Sequence, residues 1–207
     1  MTLTERSPSA PALHAGPVLE TARLLLRAPR LDDADALATL ANDRHIADNM
    51  AVIPHPYSLA DAEDYLRHVG ASTTEIAFAI TRAHDALIGL CSVRMEPGKT
   101  PEIGYWLGAP YWGHGYATEA ARALIDHAFE DIGLERLEAG ARVSNPASRR
   151  VLEKCGFQWS GVVLQRIRSI ASSAPMDRFR LDRGLWTSLK SWGRARSQQR
   201  RRQKRVA

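Results

Sequence analysis

The hydrophobic period of this chain changes from two to 3.6 at a pair of glycines, and that change limits the fold more than any other feature. Before it, Glu75–Arg82 alternates Ile76, Phe78 and Ile80 against Ala77 and Ala79, the pattern of a strand. Ala86–Met95 and Pro101–Leu107 are two further strands, set off by turns at His84-Asp85 and Pro97-Gly98-Lys99. Connections this short join antiparallel neighbours, so the three strands form a meander. Beyond Trp112-Gly113-His114-Gly115, the segment Gly115–Ile132 carries Ala117, Ala120, Ala121, Leu124, Ala128 and Phe129 at helical spacing, with Gly133 as its stop.

The flanking segments complete one domain. Leu19–Ala28 reads as the first strand, with Leu24 and Leu26 on one face and Pro29 ending it. Asp32 is the expected cap of a helix bearing Leu37 and Leu40; Asn42–Asn49 continues as a short helix, and Ser58 caps another that Gly70 ends. Downstream, Leu137–Val143 is a strand. Asn145 then caps a helix that opens on Pro146, is lined by Ala147, Val151 and Leu152, and ends at Gly156. Phe157–Arg168 and Met176–Asp182 are expected to close the sheet across an Ala/Ser/Pro loop. The fold class is α+β (mixed α/β), one domain over residues 18–192 with no internal repeat, preceded by a flexible leader at 1–17.

Charge sharpens the division. The net charge is +5, but Gly193–Ala207 holds seven Lys and Arg and no acid, which leaves −2 for Met1–Trp192. A near-neutral body argues against a nucleic-acid-binding domain. The basic tail has two readings: a contact with ribosomal RNA or another polyanion, and a solvated disordered segment, which the lack of interleaved aromatics favours. No apolar run reaches the ~20 residues of a membrane span, and the first residues lack a secretory pattern. The two cysteines, Cys91 and Cys155, show no metal-ligand spacing, and reduced thiols in a cytoplasmic protein are the plainer expectation. No metal site is expected.

The loop Trp112-Gly113-His114-Gly115-Tyr116-Ala117 is the centre of the functional reading. Two glycines let successive N–H groups converge, and a helix N-terminus adds a field that favours anions. An ordinary turn uses glycine in the same way, so the loop alone leaves both readings open.

Three ordered segments carry a resemblance: IGYWL at Ile103–Leu107, YWGHGYATEA at Tyr111–Ala120, and NPASRRVLEKCGF at Asn145–Phe157. With the opening RLLLR they are similar to the GNAT N-acetyltransferases, in the branch of the ribosomal-protein N-terminal acetyltransferases RimJ and RimL. The likeness runs from about residue 18 to 184. It implies a twisted, splayed, mostly antiparallel sheet flanked by helices, with acetyl-CoA as co-substrate in the opening. The pyrophosphate would meet backbone from Trp112, Gly113 and His114 to Gly115, Tyr116, Ala117 and Thr118, and the pantetheine would pair along Tyr105, Trp106 and Leu107. Gly115 and Ala117 match the family's loop, whereas Trp112 stands where Gln or Arg is usual. Asn145 resembles the pantetheine-contacting Asn, and Ser148 the residue that protonates the leaving thiolate.

Transfer from a thioester to an amine needs a base, an oxyanion donor and an acid. Glu102 is the first candidate base, acting through water, with a solvent-facing strand end as the competing reading. His114 ranks below it because it sits in the phosphate loop. Arg178, Arg180 and Arg183 are expected either to form a polar acceptor wall or to guard a solvated edge. The expected activity is acetyl transfer from acetyl-CoA to a primary amine by direct attack in a ternary complex. A protein N-terminus is the favoured acceptor; a small amine or antibiotic, and a non-catalytic CoA-binding scaffold, stand as alternatives. The protein is expected as a monomer or homodimer.

Overall fold

The computed structural model describes residues 16–82 and 85–193. Residues 1–15 of the expected leader (1–17) and residues 194–207 of the basic tail (193–207) lie outside these residues, as does His84 of the first meander turn. Element order is β1 (Leu19–Glu20), β2 (Leu25–Arg27), α1 (Ala34–Ala41), α2 (Arg44–Ala47), α3 (Leu59–Ala71), β3 (Glu75–Thr81), β4 (Leu87–Arg94), β5 (Glu102–Leu107), α4 (Tyr116–Glu130), β6 (Arg136–Arg142), α5 (Pro146–Lys154), β7 (Gln158–Ile167) and β8 (Ser172–Asp182). A further helix, α6, covers residues 183–193. The strands form one sheet in the order β1-β2-β3-β4-β5-β6-β8-β7.

All neighbours pair antiparallel except β5 and β6, which run parallel and meet only at Glu102↔Glu138 and Ile103↔Ala139. Beyond those two pairs the strands part, while β4–β5 and β6–β8 stay paired on either side. The crossover between β5 and β6 is α4, as a parallel connection requires. Alternation along the strands then serves two cores. Phe78, Ile80, Cys91, Val93 and Ile103 pack with Leu124, Ala128 and Phe129 of α4. Ala79, Leu90 and Trp106 pack on the opposite face with Leu37 of α1 and Leu66 of α3.

Local expectations need four corrections. The first strand is two: Thr21 Oγ1 accepts from the Leu24 N–H (2.9 Å) and the Thr21 N–H donates to the Leu24 carbonyl (3.0 Å), bending the chain between β1 and β2. A side chain that satisfies the backbone locally competes with a continuous ladder. Asp32 is not the cap. A 3-10 turn at Leu31–Asp33 precedes α1, and it is Asp33 that accepts from the Arg30 N–H (2.7 Å) while its carboxylate binds Arg27. Both partners are buried, and the Asp33 hydrogen bond outweighs desolvation to hold Arg27 charged. Ala147 is exposed rather than packed in the core. The expected Ala/Ser/Pro loop is largely strand, with Ser172–Pro175 paired to Leu164–Ile167.

The caps that depend on local chemistry lie where expected, except that Gly70 falls inside α3, which ends at Ala71 with Ser72 as its C-cap. Ser58 accepts from Asp61 N–H (3.2 Å) in a reciprocal capping box, and Gly133 and Gly156 adopt φ of 83° and 92°. The segment after Asp182, to which the sequence pattern assigns no element, forms α6, whose Trp186 lies on Phe129 (5.1 Å between ring centroids) and donates to Asp126 (2.8 Å).

Gly89 on β4 marks the tightest point beside the parting strands. A Cβ there would overlap the Trp106 carbonyl oxygen and lie 2.8 Å from the Leu107 Cα, all backbone. Gly104, three residues before Leu107 on β5, has open space. Gly89→Ala should therefore cost about 3 kcal/mol or more through strain that only backbone movement relieves. Gly104→Ala should stay within about 1 kcal/mol. Urea midpoints of the two variants check this, and equal midpoints would contradict it.

Candidate active site

The glycine loop builds an anion-accepting helix end. Gly113 and Gly115 have φ of 77° and 81°, in the left-handed region that a Cβ disfavours. Gly115 caps α4 without a side-chain hydrogen bond, unlike Ser58 at α3 and Asn145 at α5. The first intrahelical bond runs from Glu119 N–H to the Gly115 carbonyl (3.1 Å), so the N–H groups of Tyr116, Ala117 and Thr118 precede the ladder. Their orientation and the helix field suit a phosphate.

Two contacts absent from the sequence reading hold this loop. Arg23 donates through Nε to Glu119 (2.7 Å) and through a terminal nitrogen to the His114 carbonyl (3.0 Å), and it lies over the Tyr116 ring. Burial raises the Glu119 carboxyl, but hydrogen bonds from Thr21 and Arg23 overcome it and hold that carboxyl below its ordinary range. Trp112, in the position where Gln or Arg is usual, donates its indole N–H to the Leu107 carbonyl (2.7 Å). That carbonyl is thus already engaged. His114 is exposed and stacked on Tyr116, and it does not line the cavity described next.

A cavity of about 520 Å³ begins at this loop and runs through the gap between β5 and β6. Tyr105, Trp106, Gly115, Thr118, Asn145 and Ser148 are among its walls. Because β6 leaves β5 after Ile103, the backbone of Gly104–Leu107 faces the gap unpaired on that side, a strand edge open to a ligand. Tyr105 and Ser148 meet across it: their hydroxyls are 3.0 Å apart, and the Tyr105 hydroxyl lies 3.2 Å from the Ser148 carbonyl. Asn145 Oδ1 accepts from the Ser148 N–H (3.1 Å), which fixes the first turn of α5. Burial pushes the Tyr105 phenol above its ordinary range, so it remains a neutral donor. Trp106 belongs to both readings, buried in the α1–α3 core and lining the cavity.

The far end is walled by Met50 and Val52 after α2, Arg94 of β4, Glu102 of β5, and Gln165 and Met176 of the β7–β8 hairpin. The hairpin is seated on the α2 region: Arg168 N–H donates to the Ala51 carbonyl (3.0 Å) and Ser169 to the Asp48 carboxylate (2.9 Å). Glu102 is therefore a cavity residue as well as a strand end. Neither reading of the three arginines holds as stated: none of them lines the cavity, and β8 is an inner strand rather than an edge. Arg178 donates to Glu102 (2.7 Å) and Glu138 (2.8 Å), and so touches the cavity only through Glu102. Arg180 is exposed beside Asp182, and Arg183 binds the Leu134 carbonyl at the start of α6.

Among the described residues no three His, Cys, Asp or Glu side chains are grouped to hold a metal ion. No described helix is long and apolar enough to cross a membrane. Both cysteines are free thiols. Burial pushes Cys155 up to about 11, so at neutral pH it is a thiol and a poor nucleophile.

Comparison with known proteins agrees with this geometry. Residues 23–158 match the family model of the acetyltransferase (GNAT) domain. N-acetyltransferase p20 of Bacillus licheniformis, itself uncharacterised, is 34% identical over 152 residues, which is 70% of this chain and 84% of that one. The ribosomal-protein-serine acetyltransferase of Escherichia coli is 42% identical over 83 residues, 39% of this chain and 46% of that one. The crystal structure of spermidine N-acetyltransferase from Vibrio cholerae, with CoA and spermine, superposes with a TM-score of 0.70 at 21% identity, over 81% of this chain and 99% of that one. At that identity the likeness is one of fold. A match across most of the domain, joined to a sheet that parts beside a glycine-capped helix, places the chain in the GNAT family of N-acetyltransferases.

Proposed function

We propose that the protein transfers the acetyl group of acetyl-CoA to an amine by direct attack in a ternary complex, and that the acceptor is an α-amino group such as a protein N-terminus. The observation that carries the reading is one continuous cavity. It joins a helix end that lacks a side-chain cap, a free strand edge, a serine hydroxyl and the Glu102 carboxylate in that order. The first two suit the pyrophosphate and the amide-bearing pantetheine. Asn145 keeps its side-chain NH₂ for that arm, since only its Oδ1 is used as cap.

In the reaction Glu102 takes a proton from the acceptor amine through a water. The nitrogen then forms its bond to the acyl carbon as the C–S bond breaks. Backbone N–H groups of the open β5 edge stabilise the oxyanion, and Ser148 Oγ–H supplies the proton to the departing thiolate and is restored by the second proton that the attacking nitrogen loses, passed through water. Tyr105, kept neutral by burial, can donate to Ser148 Oγ and leave the serine proton free for the sulfur.

The acceptor class follows from basicity and charge. An α-amine has an ordinary pKa near 8 and an alkylamine near 10.4, so about a tenth or more of the former is neutral near pH 7 against less than ~0.1% of the latter. Among the described residues Glu102 is the one carboxylate lining the cavity, and Arg94 faces the same space. This wall offers little to a polycation. The ribosomal relative supports the same choice over part of the chain. A cytoplasmic location and an RNA contact through Gly193–Ala207 belong to this reading, because a ribosomal acceptor brings RNA with it.

Acetyl-CoA at millimolar concentration should raise the melting temperature by several degrees, since a ligand that binds only the native state stabilises it; no shift would sink the cofactor assignment. Ser148→Ala should lower kcat about ten- to a hundredfold and leave the KM for acetyl-CoA within about twofold. An unchanged kcat would remove its role as acid. Thiol release measured across N-terminal peptides, polyamines and aminoglycosides should be fastest with the peptides, and a preference for spermidine would refute the α-amine assignment.

A further inference from the structure

The register across the sheet places Glu75, Arg94, Glu102, Glu138 and Arg180 in one row, each opposite the next on the neighbouring strand. Signs alternate along this row except at the parallel junction, where Glu102 and Glu138 are direct partners. Two carboxylates in that relation repel, and they tend to share a proton. A carboxyl that holds a proton cannot serve as a base.

Arg178 enters this junction from β8. Its register partner on β6 is Gly140, and its side chain passes over that glycine to reach both acids. A Cβ on Gly140 would stand 3.2 Å from the nearer Arg178 terminal nitrogen and 3.6 Å from Glu102 Oε1. Gly140 has no positive φ, so its lack of a side chain serves space and not a turn. Arg178 is 18% exposed, and burial opposes its charge; the hydrogen bonds it donates to Glu102 and Glu138 outweigh that cost and keep it a cation.

We propose that Arg178 is a positioning residue for the reaction: it separates Glu102 from Glu138, holds Glu102 ionised with Oε1 engaged, and reaches it through the gap left by Gly140. This rests on Glu102 as the base. The other charges facing the junction are Arg94 on β4 with its partner Glu75, Arg136 on β6, Arg180 on β8, and His45 of α2 across the cavity. Arg94 balances Glu75 at 3.7 Å, and Arg136 and Arg180 are bound to Asp182 at 2.6 and 3.4 Å, so none of them takes the place of Arg178 between the two acids.

The test compares Arg178→Gln, Arg178→Lys and Gly140→Ala with the native protein, with kcat/KM for a peptide amine measured from pH 6 to 8.5. Expressing each value as a ratio to native cancels the acceptor's own ionisation. For Arg178→Gln the ratio should fall about tenfold from pH 8.5 to pH 6, the direction expected when a carboxylate base loses its cationic neighbour. Gly140→Ala should fall in the same direction although it removes no charge, and Arg178→Lys should recover most of the loss. Carbon-13 carboxyl titration of the free protein should show Glu102 and Glu138 taking up protons at higher pH in Arg178→Gln than in native. Ratios flat with pH together with an unmoved carboxyl titration would reduce Arg178 to a structural ion pair and overturn the proposal. Glu102→Gln separates the two claims. If it retains native activity, Glu102 is not the base, while the carboxyl titration still decides whether Arg178 governs its ionisation.

Discussion

The parting of β5 from β6 after two residue pairs is the constraint on which the rest of the structure depends. A sheet held by backbone hydrogen bonds is continuous by default, because an unpaired buried N–H or C=O costs free energy. Here β4 and β8 hold the two halves in full register, while α4 bridges them from one face. The gap survives because it opens into a cavity, where water or a ligand can meet the free groups. The cavity, the exposed edge of β5 and the position of Ser148 opposite Tyr105 all follow from this one break.

Charge is used around that break as fastening. Arg27 ties β2 to the start of α1 through buried Asp33. Arg23 ties the β1–β2 turn to the phosphate loop through Glu119. Arg178 ties β8 to the first residues of β5 and β6, where the strands last touch. Each pair contributes less net stability than its short distances suggest, because desolvation opposes it. Their joint effect is to fix geometry at places where the packing of apolar side chains is interrupted.

Much of the fold was legible because its signals are local. The alternation in Glu75–Leu107, the caps Ser58 and Asn145, and the stops at Gly133 and Gly156 depend on residues within a turn or two of each other. The errors share a cause. A single strand over Leu19–Ala28, Asp32 as a cap and Ala147 in the core follow from neighbours in sequence, whereas Thr21 and Asp33 answer to nearby backbone and to Arg27, and Ala147 to the cavity beside α5. Strand Ser172–Pro175 looked like a loop because small residues and proline are turn formers. On an outer hairpin they pair with Leu164–Ile167 without penalty.

The sequence by itself determined the element order, the glycine-capped entry to α4 and the three motifs that mark the family. These rest on backbone conformation and hydrophobic period, which act over short distances along the chain. It did not reveal that Arg178 lies between Glu102 and Glu138, that Arg23 clasps the loop from 91 residues away, or that Trp112 closes back on Leu107. Only the tertiary structure decided those contacts. Sheet register and the break between β5 and β6 bring together charges from distant strands, and no local propensity encodes which of many arginines meets which acid.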